Sequence, residues 1–194
     1  MASKNIYLKG KANFMRPYFR DEGNDKTPPD MLKKFQRTEG QYNTEFLLVN
    51  PKNGYVFTSR DDALDYLSSV DVPIDNMMAN LVKRNPETKE VRYKVTRPHM
   101  EPNMPKEKGS DEMGFVFGPP KVVGVLKDEN GNVVYDEYGK PKVEEWDEEV
   151  LIGNGSDITV KINVWRGNKA TKIRWDGVRI DNLVPYEPED EGGF

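Results

Sequence analysis

Two alternating segments near the end of the sequence, joined by a short turn, constrain the fold more than any other feature. Residues 158–165 alternate Ile and Val with polar, basic or aromatic side chains, and residues 170–175 return with a similar alternation after the turn RGNK. A period of two is typical of a half-buried β-strand. The sequence therefore predicts an antiparallel hairpin with one apolar face and one basic face.

Strand-like patterns recur along the rest of the chain. Residues 5–15 alternate, and four side chains are predicted to share the buried face: Ile6, Leu8, Ala12 and Phe14. The turn NPKNG predicts a hairpin between residues 42–49 and 55–58, because Asn-Gly favours positive φ. Further strand patterns occupy residues 90–97, 114–118 and 121–126.

Helical signals are few and mostly fall in one stretch. Ser59 before RDDALDYLSS is a capping residue, and the apolar spacing from Pro73 to Val82 predicts a second helix that ends before Pro86. A short helix is expected near residues 31–35, inside a polar loop. Residues 97–112 are rich in Pro and charge and are predicted to form a long flexible loop.

Many short strands with one helical insertion suit a small barrel better than a doubly wound sheet. We expect a mainly β fold, an OB-type barrel of five strands within a single domain over residues 1–186. The helical insertion spans about 59–85 and an acidic hairpin extension spans about 128–149. Residues 187–194 are expected to form a flexible acidic tail, since Pro, Gly and acids supply no core.

Charge is segregated along the chain. The net charge of −4 equals that of residues 187–194, so residues 1–186 are neutral overall. Residues 128–149 hold nine acids and two bases, which leaves the rest of the body at +7. Segregation of this kind can focus a positive field on one surface. Scattered surface charge is the plainer alternative.

Signatures of enzymes, cofactors and metals are almost absent. The chain has no Cys, which excludes disulfides and thiolate metal sites, and its one histidine, His99, lies in the Pro-rich loop. The glycine-containing segment GNGS at 153–156 precedes a predicted strand and not a helix. It therefore cannot form the kind of phosphate site that uses a helix N-terminus. The acids at 144–149 lack the spacing of an EF-hand. Neither a signal peptide nor a membrane span is evident, so a cytoplasmic binding protein without cofactor or metal is expected.

Basic and aromatic residues are repeatedly adjacent in the sequence. Tyr18 lies near Arg16, Arg174 precedes Trp175, and Trp165 precedes Arg166. Lysine and arginine attract the phosphates of single-stranded nucleic acid, and aromatic rings stack on its bases. Trp165 is the best candidate for an exposed ring because it shares a strand face with Lys161, whereas Trp175 is predicted to lie in the core.

Four stretches resemble the single-stranded DNA-binding proteins of short-tailed DNA bacteriophages. They are GKANFMRPY, VRYKVTR, LIGNGSDITVKINVW and the closing EPEDEGGF, in the order found in that family. The resemblance implies an OB fold that coats single-stranded DNA in replication, recombination and repair, in the cytoplasm of an infected bacterium. It points to Arg92, Tyr93 and Lys94, and to Lys161 and Trp165.

Pattern and resemblance together give a set of candidate DNA-binding residues: Lys9, Lys11, Arg16, Tyr18, Arg92, Tyr93, Lys94, Arg97, Lys161, Trp165, Arg166, Lys172 and Arg174. The resemblance also implies that the tail recruits the replicative DNA polymerase and the helicase-primase. The tail residues expected to do so are Glu187, Glu189, Asp190, Glu191 and Phe194.

Physically, the four carboxylates of this tail would imitate phosphates and Phe194 would imitate a stacked base. The tail would then occupy the basic groove until DNA displaces it. A tail that enters its own groove could also enter a neighbour's, which is compatible with a homodimer.

A second interpretation is a β-rich structural or protein-interaction module of phage origin that does not bind nucleic acid. In that case the basic residues would pair with the acids of residues 128–149. The two interpretations differ in salt-dependent DNA binding, which only the first predicts.

Overall fold

The alternation of apolar and polar residues produces the strands that carry the structure. The computed structural model describes residues 2–186. Strands hold 42% of the described residues and helices 13%, so the prediction of a mainly β fold is confirmed. The strands are β1 (Ala2–Lys11), β2 (Gln41–Leu48), β3 (Val82–Arg84), β4 (Val91–Pro98), β5 (Met100–Pro105), β6 (Met113–Val116), β7 (Lys121–Val125), β8 (Val143–Glu145), β9 (Asp157–Arg166) and β10 (Thr171–Asn182). The helices are α1 (Pro29–Thr38), α2 (Arg60–Ser69) and α3 (Asn76–Ala79).

Eight of the strands form one sheet in the order β3-β4-β2-β1-β9-β10-β7-β8, and β5 pairs with β6 alone. The ladder between β7 and β10 is parallel and the other ladders are antiparallel. The hairpin predicted at residues 158–175 is β9 and β10, and its turn is closed by a hydrogen bond from Gly167 N to Ala170 O.

The inward side chains of the five longest strands, together with buried residues of α2 and the connecting segments, form the core. Each large apolar side chain removed from water stabilises the fold by about 1.5–3 kcal/mol. The largest fully buried side chains include Trp175, Tyr93, Phe46, Leu8, Leu48 and Leu67. Trp175 therefore lies where the sequence predicts it, and its indole Nε1 donates to Gly177 O at 3.1 Å.

A close approach at Gly10 lets β1 pair with a second strand, β2, at its end. β1 pairs with β9 along its whole length but with β2 only at Gly10 and Lys11. A Cβ at position 10 would lie 2.4 Å from the ring of Phe46 and 2.7 Å from Leu47 O. Glycine is thus required where β1 bends towards β2.

The predicted barrel is not closed by a ladder. Within residues 2–186, β4 and β10 share no backbone pairing, although they lie next to each other. The side chain of Arg97 on β4 reaches β10 instead, with Nη1 donating to Asp176 Oδ1 at 2.9 Å and to Trp175 O at 3.4 Å. Side-chain contacts join the two strands where a closed barrel would need main-chain bonds.

Of the two helices predicted over residues 59–85, the first forms as predicted and the second is much shorter. α2 forms with Ser59 as its cap, whose Oγ accepts from Asp62 N at 3.2 Å. The second predicted helix is wrong beyond one turn: α3 ends at Ala79, and Val82 pairs with Tyr93 of β4. Burial of Val82 in the core and its ladder with β4 outweigh the helical spacing.

Two loop predictions are also corrected. The predicted flexible loop at 97–112 contains β5, which forms a hairpin with β6. Phe14 does not continue the buried face of β1. The strand ends at Lys11, Phe14 has φ of 48°, and its side chain is 79% exposed. The backbone turns there because Phe14 N donates to the side chain of Asn154 at 2.7 Å.

The remaining elements agree with the sequence. α1 covers the short helix expected near residues 31–35, and the hairpin at NPKNG is closed by a bridge between Val49 and Val56. Residues 128–149 contain two successive turns followed by β8, which pairs with β7. Across residues 2–186, none of the helices has the length and apolar content to cross a membrane. The predicted tail at 187–194 lies outside the described residues.

Candidate nucleic-acid interface

The solvent side of β1, β9 and β10, here called the outer face, brings rings and bases together. Ladder pairing places Tyr7 directly opposite Lys161, and Trp165 directly opposite Lys172. Side chains that are directly opposite in a sheet point to the same side, with Cβ atoms about 5 Å apart. The outer face thus holds two ring–lysine pairs on adjacent strands.

The two rings are presented in different ways. Tyr7 is 61% exposed on β1. Trp165 is half-buried because its ring lies over Gly167 in the β9–β10 turn, where a Cβ would come within 2.3 Å of the ring. The missing side chain at Gly167 leaves room for the indole against the turn.

Three lysines of the outer face have no acidic partner in the part of the chain that the structure describes. Lys9, Lys161 and Lys172 make no ion pair with any acid of residues 2–186. Lys11 at the end of β1 differs, because its Nζ lies 3.0 Å from Asp157 Oδ1. Lysines beside one exposed and one half-buried ring suit a phosphate backbone with stackable bases.

Arg97 and Arg174, two further predicted residues, are held in a cluster with Asp176 and Phe117. Asp176 pairs with both guanidinium groups. The Cζ atoms of Arg97 and Arg174 lie 5.2 Å and 4.7 Å from the centroid of the Phe117 ring. The side chains of Arg97 and Asp176 are only 12% and 15% exposed. This cluster fixes the segment after β6 against β4 and β10.

Tyr93, predicted as a stacking ring, lies in the core. Its ring contacts Phe46 edge to face with centroids 5.9 Å apart, and burial raises the pKa of its hydroxyl. Its neighbours Arg92 and Lys94 point to the solvent side of β4, where both are half-buried. The middle strand therefore offers two bases and no ring.

The loop after β1 carries a second basic and aromatic group. Arg16 lies over the ring of Phe19, with Cζ 4.8 Å from the ring centroid, and both side chains are exposed. Tyr18 is half-buried, and burial, followed by the charge of Glu148, raises the pKa of its hydroxyl. This loop therefore lies close to the acidic segment at 144–149.

Arg166, at the end of β9, is exposed and donates from Nη2 to the backbone carbonyl of Asp71 at 2.9 Å.

Tyr7 lies on the outer face but is missing from the set of candidate residues predicted from the sequence. The signal was present, since Tyr7 alternates with Ile6 and Leu8 and shares its face with Lys9.

The ion pairs distinguish the two interpretations of the basic residues. The described ion pairs are Lys4–Asp71, Lys11–Asp157, Arg20–Glu22, Arg97–Asp176, Lys106–Glu112, Arg174–Asp176 and Arg179–Asp181. Among residues 2–186, no acid of 128–149 pairs with a base. The pairing that the interaction-module interpretation predicts is therefore not found there.

His99 is not solvated as a loop histidine would be. Its Nδ1 lies 2.8 Å from the Tyr42 hydroxyl, and burial, reinforced by the charge of Arg20, lowers the pKa of the imidazole. The part of the chain that the structure describes contains no group of three or more His, Asp or Glu side chains placed to hold a metal ion.

Comparison with known proteins gives little beyond this geometry. No protein-family model matches the chain, and no curated protein is significantly similar to it. Among solved structures, the chain is similar to the crystal structure of gp2.5, a single-stranded DNA-binding protein encoded by bacteriophage T7. The match covers 100% of this chain and 98% of that chain, at 15% sequence identity and a TM-score of 0.43. At these values the likeness assigns no function to this chain.

Proposed function

We propose that this chain binds single-stranded DNA through the outer face and acts as a binding protein, not an enzyme. The observation that carries the proposal is the pairing of Tyr7 with Lys161 and of Trp165 with Lys172 on adjacent strands. The rings stack on bases while the lysines contact the neighbouring phosphates. Stacking tolerates every base, so binding has little sequence preference.

The arrangement of the five longest strands supports an OB-type barrel for this chain. In sequence order these five strands are β1, β2, β4, β9 and β10. Across the sheet they follow the order third, second, first, fourth and fifth. The Arg97–Asp176 contact joins the third to the fifth. The OB fold is a partly open five-stranded Greek-key barrel that binds oligonucleotides on one face. Arg92 and Lys94 on β4 extend the basic surface beyond β1.

The wider role rests on the resemblance of the four sequence stretches. We place the chain in DNA replication, recombination and repair, in the cytoplasm of a bacterium infected by a phage. The acidic tail at 187–194 recruits the replicative DNA polymerase and the helicase-primase, and competes with DNA for the basic face. Entry of the tail into a neighbour's groove would make a homodimer.

The test is intrinsic tryptophan fluorescence titrated with oligo-thymidylate at low and moderate salt. Trp165 lies on the outer face, Trp175 is buried and Trp146 lies in the acidic segment at 144–149, so bound DNA should quench Trp165 more than the other two. The apparent affinity should fall steeply with salt as counterions are released, with a slope of about −0.7 per phosphate contacted. Absence of both quenching and binding by a second method would favour the interaction module instead.

A further inference from the structure

The edge of the sheet at β3 borders a basic cavity that the outer face does not include. The cavity is a shallow depression open to solvent, with a volume of about 620 Å³, and is lined by Arg60, Asn80, Val82, Lys83 and Arg84. Three of these five side chains are cationic, and Val82 is buried. No aromatic side chain lines the cavity, so it offers charge without a surface for stacking a base.

Two of its arginines are oriented by neutral groups. Arg60 donates from Nε to Val82 O at 2.8 Å and from Nη2 to Ala79 O at 2.7 Å. Arg84 donates from Nε to Thr58 O at 2.7 Å. Carbonyl oxygens fix the direction of each guanidinium but do not neutralise its charge. The remaining N–H donors are therefore held in place and still cationic.

The third cation, Lys83, lies directly opposite Arg92 in the ladder between β3 and β4. Like charges directly opposite each other in a sheet are destabilising unless an anion lies between them. Arg92 Nε is buried without a hydrogen-bond partner. Within residues 2–186, neither Lys83 nor Arg92 forms an ion pair.

Ladder register connects this cavity to the outer face. Lys11 is opposite Leu47, Leu47 is opposite Arg92, and Arg92 is opposite Lys83. This cross-strand row crosses β1, β2, β4 and β3 on the solvent side, and adjacent strands are about 4.8 Å apart. A chain of phosphates leaving the outer face at β1 would therefore pass Lys11, the apolar Leu47 and then Arg92 over about 14 Å before it reaches Lys83 at the cavity.

We infer that the cavity between α2 and β3 is a phosphate site that takes a backbone phosphodiester of single-stranded DNA beyond the stacking surface. This inference rests on the proposed function and deepens it: Tyr7 and Trp165 stack bases, while Arg60, Lys83 and Arg84 hold the backbone only. The site lengthens the stretch of DNA that one molecule covers.

The test compares Lys83→Gln with a matched control, Lys33→Gln. Lys33 is also exposed and lies on α1, so the control removes the same charge from another element. Binding of a labelled oligo-thymidylate of about 16 nucleotides, the upper site size of one OB fold, is measured by anisotropy across a salt series. Lys83→Gln should reduce the magnitude of the salt slope by about 0.7, as expected for one lost phosphate contact. Lys83→Arg should keep the slope, and maximal quenching of Trp165 should not change.

The outcomes separate the inference from the proposed function. A salt slope for Lys83→Gln equal to that of Lys33→Gln, with wild-type binding intact, overturns the inference alone. Absence of wild-type binding removes both. Inorganic phosphate at matched ionic strength should not displace the oligonucleotide. Displacement from the wild type but not from Lys83→Gln would assign the cavity to free phosphate and contradict the DNA-backbone assignment.

Discussion

At the scale of single residues, the alternation of side chains along a strand decides which of them face solvent and can contact a ligand. Tyr7 lies two positions before Lys9 on its strand, and Tyr93 lies between Arg92 and Lys94. Tyr7 alternates with buried Ile6 and Leu8 and points to solvent, whereas Tyr93 shares its face with Val91 and Val95. Adjacency to bases in the sequence, which led to the prediction of Tyr93 as a DNA-binding residue, is therefore a weaker guide than alternation with buried residues.

Replacing Tyr93 with Phe tests this placement. The buried hydroxyl has no hydrogen-bond partner in the described structure, so it bears a desolvation cost of about 1–3 kcal/mol. Tyr93→Phe should leave the free energy of unfolding unchanged or raise it, and leave DNA affinity unchanged. Urea denaturation and anisotropy check the two expectations. A large loss of DNA affinity in a stably folded variant would contradict the buried position.

His99 makes stability depend on pH. Burial lowers its pKa below the ordinary 6.5, so the unfolded chain binds the proton more tightly than the folded chain. This stabilisation is fully present above pH 6.5 and is lost as the pH falls through the folded pKa. Between about pH 7.5 and about pH 5, the melting temperature of the wild type should fall more than that of His99→Gln. An equal fall in the melting temperature of the two proteins would contradict the predicted direction of this effect.

At the scale of elements, side chains replace main-chain pairing between β4 and β10. Arg97 donates from Nε to Gly118 O at 2.8 Å and pairs with Asp176, so one guanidinium ties β10 to the segment that follows β6. The ring of Phe117 lies against the same group. One largely buried ion-pair cluster thus joins β4 to β10, which share no described main-chain pairing.

Removing Asp176 should therefore affect stability strongly. Asp176→Ala leaves Arg97 buried and unpaired, and breaking a buried pair from one side costs about 3–5 kcal/mol. The matched control is Asp157→Ala, whose ion pair with Lys11 is more exposed, so its cost should be at most about 1 kcal/mol. Chemical denaturation measures both. Equal losses for the two variants would show that the cluster does not hold the strands together.

Local patterns predict the long elements better than the short ones. The alternation of Ile158 and Val160 and the cap at Ser59 are local signals, and both elements form as expected. The helix predicted through Val82 fails because that residue is buried against β4, a contact the local pattern cannot reveal. The Asp176 cluster was missed for the same reason: Arg97 and Asp176 are far apart in the sequence, and only the strand order joins them.

At the scale of the whole molecule, charge is arranged in separate regions. The acids of residues 128–149 form no ion pair with the bases of residues 2–186, so the basic surfaces remain open to an anionic ligand. The same segment approaches the loop after β1, near Tyr18. A neutral body that separates its charges in this way can bind a polyanion without a high net charge.

Deleting residues 187–194 removes four acids and Phe194. If this tail competes with DNA for the basic face, a chain that ends at Tyr186 should bind oligo-thymidylate more tightly, and the gain should shrink as salt increases. Titrations of both chains at low and moderate salt measure the difference. Equal affinities of the two chains at low salt would contradict competition by the tail but would not affect the proposal that the outer face binds DNA.

The most direct test of the central claim compares three single substitutions of exposed or partly exposed rings. Tyr7→Leu and Trp165→Leu alter the outer face, while Tyr138→Leu removes a ring that is 79% exposed in the acidic segment. Anisotropy with labelled oligo-thymidylate should show that each of the first two loses about 1–3 kcal/mol of binding free energy, the contribution of one stacked base. Tyr138→Leu should bind as the wild type does. Equal affinities for all three variants and the wild type would contradict the claim that the outer face binds single-stranded DNA.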